Sequence, residues 1–340
     1  MKQIVFTKPN TAQLLEKPIG DPEAGQVQVR LIRSTISSGT ERAGITGSTT
    51  VSWMRPEAEK PTFPRCHGYS SAGVITKLGE GVEGYAVGDR VALSWSTHSQ
   101  LQNSKIQNVH KLDDSVSFAD GALCHIATFP MAAIRKCRLE MGEPAIVMGM
   151  GILGMMAVQL LKLGGAAPIL AVDPDPAKRE KALAIGADYA LDPYASDFAQ
   201  TAKALTDGGA KVGIEVTGIG AGLDGILDCM ARFGRVALLG CTRSSDFTID
   251  YYRKVHGPGI TLVGAHTNAR PGTNSSSGWW TERDDFEAIL KLTKLGRLKL
   301  SDLVEEIHSP TEAPAVYTRL CTEKTFPLVQ FDWSELECEK

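Results

Sequence analysis

Three glycines and one acid carry the most specific chemistry in the sequence. Gly149-Met-Gly151-Ile152-Leu153-Gly154 follows the apolar run AIVM (145–148) and opens a helix expected over Ile152 to Leu163. A G-x-G-x-x-G alone says little, but between a strand and a helix it makes a cradle for a pyrophosphate. Gly149 would make the tight turn, Gly151 would let the pyrophosphate approach the main chain, and Gly154 would let helix and strand pack closely. The first N–H groups of the helix, around Ile152 and Leu153, would face the phosphates. Asp173 ends the next apolar run, nineteen residues past Gly154. There it would accept hydrogen bonds from the ribose hydroxyls and repel a 2′-phosphate, so the expected cofactor is NAD. Lys178 and Arg179 would soften that preference, but they follow Pro174 and Pro176 and are expected on a solvated helix face. Thr217, in KVGIEVTG (211–218), is grouped with the cofactor-binding residues.

A second constellation, AHTNARPGTNSSSGWWTERDD (265–285), gathers His266, Asn268, Arg270, Trp279 and Trp280. Aromatic faces beside amide, imidazole and guanidinium donors suit sugars and cyclitols, whose C–H faces stack while their hydroxyls take the donors. Arg270 would instead favour a carboxylate or phosphate on the substrate. The bland alternative makes the tryptophans a core or dimer contact.

Elements must place these groups. Up to about residue 110 the pattern is short β-rich runs broken by glycine-rich turns: QVQVRLI (26–32), AGVITKLG (72–79) and DRVAL (89–93). This predicts an irregular β domain. From about 120 onward, apolar strands alternate with helices, as in PILAVD (168–173), a helix over Pro176–Ile185, YALD (189–192), GRVALLG (234–240) and ITLVGA (260–265). Strands apolar throughout and separated by helices predict a doubly wound parallel sheet, an α/β architecture. An amphipathic helix from Asp284 to Leu295 and a strand PLVQF (327–331) close the chain. The expected domains are 1–122 with 267–340, and 123–266.

Composition narrows the class. The 340 residues carry 36 basic and 39 acidic side chains, a net charge of −3, and are 43% hydrophobic and 22% charged. That is ordinary for a packed soluble protein of about two domains and suggests no nucleic-acid partner. The start, MKQIVFTKPNTAQLLEKP, lacks a basic flank followed by an apolar core, and no stretch approaches about 18 apolar residues. A cytoplasmic protein, away from membranes, is expected. The seven cysteines, Cys66, Cys124, Cys137, Cys229, Cys241, Cys321 and Cys338, never stand at C-x-x-C spacing. Most should be small buried hydrophobes in a reducing compartment.

EAGQVQVRLIRSTISSGTE (23–41), GYSSAGVI (68–75), GEGVEGYAVGDRVAL (79–93), VMGMGILGMMAVQLLKLGGA (147–166) and DPDPAKREKALAIGAD (173–188) resemble the medium-chain dehydrogenase/reductase superfamily over nearly the whole chain. Its zinc alcohol and polyol dehydrogenases join a GroES-like β-barrel catalytic domain to a Rossmann domain, and the resemblance implies that fold here. It also exposes a departure. Where the family has a ligand cysteine this chain has Ser38; the ligand histidine is Tyr69, followed by Ser70 in place of a glutamate. The third ligand position falls on Cys124, twenty-five residues before Gly149. One cysteine cannot hold zinc, which wants at least three protein ligands around an open position. The structural-zinc lobe is absent too, and a relocated site from Cys66, His67, Cys124 and His125 is the remaining metal alternative. The wording SGTER and GYSSAG resembles a zinc-less subgroup placed with bacteriochlorophyllide hydroxyethyl dehydrogenases and sugar or polyol dehydrogenases.

Without zinc another group must take the hydroxyl proton. Tyr69 is the first candidate, because a phenol beside an oxidised nicotinamide ionises more readily. Glu41 is the second, either as base or as a buried partner of Arg42 or His67. By resemblance, Thr40 matches the hydroxyl of the family's proton relay and Trp95 an aromatic residue of the substrate pocket. Ser38 and His67 complete the expected catalytic set, and His98 is a weaker candidate. The function expected is NAD-dependent, zinc-independent interconversion of a secondary alcohol and a ketone on a sugar, sugar acid or cyclitol. The alternatives are a zinc-free quinone or enoyl reductase and a non-catalytic nucleotide-binding protein. Resemblance implies a homodimer or homotetramer, with pairing near Ile260–Gly264.

Overall fold

The computed structural model describes residues 1–48 and 62–336, so Cys338 lies outside it. In chain order the elements are β1 (Lys2–Lys8), β2 (Thr11–Glu16), β3 (Gln26–Thr35), α1 (Ser38–Thr46), β4 (Ser70–Leu78), β5 (Arg90–Ser94), β6 (Leu101–Lys105), β7 (Val109–Lys111) and α2 (Phe118–Lys136). Next come β8 (Ala145–Met148), α3 (Ile152–Leu163), β9 (Ile169–Val172), α4 (Pro176–Ile185), β10 (Tyr189–Leu191), α5 (Phe198–Leu205), β11 (Ala210–Glu215), α6 (Gly220–Asp228), β12 (Met230–Leu238) and β13 (Thr261–Gly264). The chain closes with α7 (Glu282–Lys294), β14 (Glu306–His308), α8 (Ala313–Thr322) and β15 (Val329–Asp332).

Two compact units result, Met1–His125 with Leu290–Lys340, and Ile126–Ile289. The segment 267–289, expected with the first unit, falls in the second. Its charged anchors explain this: Arg270 bonds Thr128, and Asp285 of α7 bonds Arg135 of α2.

In the first unit the strands run β14-β15-β3-β4-β5-β7, with β6 also on β3, and β1 and β2 form a separate hairpin. β3 holds this sheet together, and its inward residues Val27, Val29 and Leu31 are wholly buried. They share a core with Phe6, Ile75, Leu93, Tyr317, Phe331 and Trp333. The helix α1, for which no periodic signal stands out, starts directly after β3 and brings Ser38, Thr40 and Glu41 into its first turn.

The second unit carries one six-stranded parallel sheet in the order β10-β9-β8-β11-β12-β13. β8 and β9 are buried at every residue, as strands covered on both faces must be. Counted along the sheet this is the doubly wound order 3-2-1-4-5-6, whose direction reverses between β8 and β11. Ligands bind outside the carboxyl ends of the strands at such a switch point. Among the described residues no helix is long and apolar enough to cross a membrane.

Candidate active site

At the switch point the main chain dictates the geometry. Gly149, with φ +101°, turns the chain out of β8, a conformation that side chains rarely tolerate. A methyl group on it would lie 3.0 Å from Thr217 Cγ2, so Thr217, after β11, borders the turn. Gly151 faces open space within 4 Å, and a side chain on Gly154 would collide with the Gly149 carbonyl. Gly151 caps α3 without a side-chain hydrogen bond, leaving the half-buried Ile152 and Leu153 at the helix start with N–H groups for an anion. Asp173 braces the turn: Oδ2 accepts from Met150 N–H at 2.8 Å and Oδ1 from Asp175 N–H at 2.9 Å. Each carboxylate oxygen keeps a second lone pair for a ribose hydroxyl. Arg179 is occupied instead, donating to the carbonyls of Asp173 and Pro174 and lying 3.5 Å from Asp192, while Lys178 is half-buried on α4. An uncapped helix start, an open glycine and a seated acid fit a dinucleotide.

Sequence reasoning missed Glu215 here. It is buried at the end of β11, accepts from Thr217 and Gly218, and has its pKa pushed up by burial. An acid inside the apolar run KVGIEVTG was the available signal.

The first unit gathers the hydroxyls. Tyr69 OH donates to Ser37 Oγ. Ser37 is the N-cap of α1, yet its side chain accepts nothing from the helix. An N-cap serine ordinarily takes an N–H of the first turn; this one has been diverted to the phenol. Ser38 and Thr40, one and three residues on, are partly exposed, and no hydrogen bond to another described residue engages either side chain. Tyr69 also fixes an aromatic corner. Its carbonyl accepts from Trp95 N–H at 2.9 Å and from His125 Nδ1 at 2.7 Å. The His125 ring stands edge-on to Tyr69 and Trp95, at centroid distances of 5.7 and 4.8 Å. Trp95 is held at φ +58° with its side chain 44% exposed, a strained backbone of the sort that persists where surroundings over-determine it.

Several expected residues do not join this cluster. Glu41 is fully buried, bonded to Ser37 N–H, Tyr317 and His98, so it has no free face for a substrate proton. Arg42 does not bond it and donates to the Leu320 and Glu323 carbonyls, while His67 feels the charge of Glu41. His67 stacks on Phe6 at 4.9 Å, packs over Gly44, and has its pKa lowered chiefly by burial. It is packed against these neighbours. Ser70, in place of the family's glutamate, donates to the Ala122 carbonyl.

In the second unit the expected substrate constellation is largely internal. The Arg270 side chain is 4% exposed, bonds Thr128 O and Oγ1, and pairs with the buried Asp285 at 3.7 Å. It therefore serves packing rather than a substrate carboxylate. Trp280 lies under the Arg135 guanidinium at 3.5 Å, and Lys136 approaches the half-exposed Trp279 at 5.1 Å. His266 Nδ1 accepts from the main chain of the exposed Asn268 at 3.1 Å. Its pKa is lowered by burial and by Lys136 and Arg243.

Two family models match the chain, "Alcohol dehydrogenase GroES-like domain" over residues 36–139 and "Zinc-binding dehydrogenase" over 153–280. D-guloside 3-dehydrogenase of Escherichia coli (strain K12) is 25% identical over 334 residues, covering 93% of this chain and 95% of its own. The crystal structure of 2R,3R-butanediol dehydrogenase from Bacillus subtilis superposes with a TM-score of 0.80 at 22% identity, over 97% of this chain and 99% of that one. An alcohol dehydrogenase of E. coli CFT073, complexed with NADH, gives 0.81 at 18% identity, over 98% and 99%. The chain belongs to the medium-chain dehydrogenase/reductase superfamily.

This medium-chain enzyme, of the alcohol/polyol dehydrogenase type, has an unusual donor set where the family carries zinc. Cys124 is buried and its thiol donates to the Asp120 carbonyl, with burial raising its pKa. The relocated alternative is scattered: Cys66 meets Lys17, His67 meets Phe6, and His125 meets the Tyr69 carbonyl. Among the described residues no three His, Cys, Asp or Glu side chains are grouped to hold a metal ion. The described residues do not fit zinc. Of the cysteines, Cys124, Cys137 and Cys229 are buried as expected, whereas Cys66 and Cys321 are partly exposed and Cys241 is exposed.

Proposed function

We propose that this chain is an NAD-dependent, zinc-independent dehydrogenase that interconverts a secondary alcohol and a ketone on a polyhydroxylated small molecule: a sugar, sugar acid or cyclitol. One observation carries the reading. The Tyr69 phenol stands at the family's ligand-histidine position and is hydrogen-bonded to the diverted N-cap hydroxyl of Ser37.

A bound nicotinamide supplies the hydride acceptor. The remaining work falls to side chains. Having given its proton to solvent and then accepting from the Ser37 hydroxyl, the Tyr69 phenolate takes the carbinol proton as the hydride leaves carbon, and the positive end of the α1 dipole favours the phenolate before the transfer. Thr40 and Ser38 offer exposed hydroxyls to neighbouring substrate hydroxyls, and Trp95 offers a ring face for C–H stacking. Asp173 supports NAD over its phosphorylated form by repelling a 2′-phosphate. The names guloside 3-dehydrogenase and butanediol dehydrogenase both denote secondary-alcohol substrates, and an NADH complex is known for one structural relative. The exposed β13 lies at the sheet edge, which suits pairing between two copies in a homo-oligomer in the cytoplasm.

The test is turnover with NAD across sugars, sugar acids and cyclitols, comparing wild type with Tyr69→Phe. A kcat about 10²-fold lower at unchanged NADH affinity is expected. Equal kcat would sink the role of Tyr69, and NADPH-dependent reduction of quinones or enoyl compounds alone would favour the reductase reading.

A further inference from the structure

The carboxylate that sequence suggested as a base has a different task, visible in what surrounds it. Glu41 Oε1 accepts from Ser37 N–H at 2.7 Å; Oε2 accepts from Tyr317 OH at 2.5 Å and lies 3.1 Å from His98 Nε2. All four residues are buried, and they come from α1, α8 and the loops after β3 and β5.

The direction of these bonds is set at the carboxylate, which can only accept, so His98 Nε2 donates to it. Trp333 Nε1 can only donate, and it does so to Ser34 Oγ at 2.8 Å. Ser34 can then give its own hydrogen to His98 Nδ1, also 2.8 Å away. With Nδ1 accepting, the imidazole proton sits on Nε2 and is donated to Glu41. Each of these groups then has its partner, and the carboxylate receives three donors. Burial works against the anion, but His98, Tyr317 and the Ser37 N–H outweigh it and hold the Glu41 pKa below its ordinary value. Tyr317 stays protonated, its pKa raised by burial and by Glu41.

Ser37 is where this buried chain meets the candidate site. Its N–H is held by Glu41 and its hydroxyl receives the Tyr69 phenol. We propose that Glu41 is a positioning residue: by fixing the main chain of Ser37 at the start of α1 it turns the Ser37 hydroxyl onto Tyr69, while the Trp333–Ser34–His98 relay and Tyr317 hold its other oxygen in place. The inference rests on Tyr69 being the proton acceptor. It makes Glu41 act through Ser37 and Tyr69, without touching substrate.

A double-mutant cycle tests this in the full-length enzyme. Glu41→Gln should lower kcat about tenfold, as coupled neighbours do, leaving KM and NADH affinity in place, because the amide presents a donor where Tyr317 and His98 also donate. In a Tyr69→Phe background the same change should lower kcat less than about twofold, since the group it positions is gone. Tyr317→Phe, which removes one donor but spares the charge, should cause a smaller loss with the same non-additivity. Should Glu41→Gln fail to fold, Ser37→Ala and Tyr317→Phe carry the test, with Ser37→Ala expected to add nothing to Tyr69→Phe. Additive losses, or a folded Glu41→Gln enzyme with wild-type kcat while Tyr69→Phe is impaired, would overturn the proposal alone. An unimpaired Tyr69→Phe enzyme would overturn the reading beneath it as well.

Discussion

In the second unit the nucleotide crevice is made of main chain: a glycine turn, the uncapped N–H groups of α3 and one acid seated on the turn by two backbone hydrogen bonds. In the first unit the cluster around Tyr69 is made of side chains bonded to one another, with the helix start used as a platform. The contrast teaches where a family tolerates change. Phosphate recognition needs particular φ angles and the absence of Cβ atoms, so its residues are hard to replace. A metal pocket needs only donors at the right place. Here the positions that hold ligands elsewhere carry a serine and a tyrosine, and their neighbours Ser37 and His125 complete a different hydrogen-bonding pattern.

The comparison can be broken at its packing first. Arg270→Ala removes one partner of a buried pair and should destabilise the protein by about 3 kcal/mol, the lower end expected because Arg135 still holds Asp285. At roughly 2–4 °C per kcal/mol this lowers the Tm by roughly 10 °C. The folded variant should keep its kcat/KM; a large selective loss of kcat/KM without a shift in Tm would return Arg270 to the substrate. Gly154→Val drives a side chain into the Gly149 carbonyl and should weaken NADH binding by roughly 100-fold, the upper end of what overpacking costs. Fluorescence titration would check this, and unchanged affinity would mean the phosphates bind elsewhere. Asp173→Ala should weaken NADH about tenfold and narrow its advantage over NADPH; identical affinities for both dinucleotides before and after would contradict the assignment.

The smallest effect concerns Lys136, a buried amine donating to the Gly264 carbonyl, its pKa pushed down to about 8 by burial and then by Arg270. Between that value and the ordinary 10.5 the unfolded chain holds a proton that the folded chain has released. Stability from this group therefore rises with pH across that window. Lys136→Met should flatten the rise in urea-unfolding free energy measured at successive pH values. An unaltered slope would show that other groups produce it.

How much of this was legible depended on whether local sequence carries the constraint. The strand AIVM (145–148), the helix over Ile152–Leu163 and the helix over Pro176–Ile185 appear at their expected bounds, because strand and helix periods and the glycine and proline signals all agree there. The helix α1 escaped notice, since Ser-Gly-Thr-Glu-Arg has no apolar stripe; Glu41 bonds the main chain at its start and a left-handed Gly47 caps its end. Tyr69 and Trp95 were visible by position and His125 as a metal alternative, yet Ser37 and Tyr317 were not. Their roles arise from contacts such as Glu41 to Tyr317, between residues far apart in the chain, which no local pattern encodes. Arg270 misled because a guanidinium beside tryptophans reads alike whether it meets a substrate or an internal aspartate.

The central claim is that proton transfer belongs to Tyr69 and its hydroxyl neighbours rather than to a metal. The most direct measurement is NAD-dependent oxidation of a reactive polyol by enzyme dialysed against a strong chelator, with metal content determined by elemental analysis. The account predicts full turnover with far less than one metal ion per chain. Loss of activity on chelation, restored by stoichiometric zinc, would contradict it.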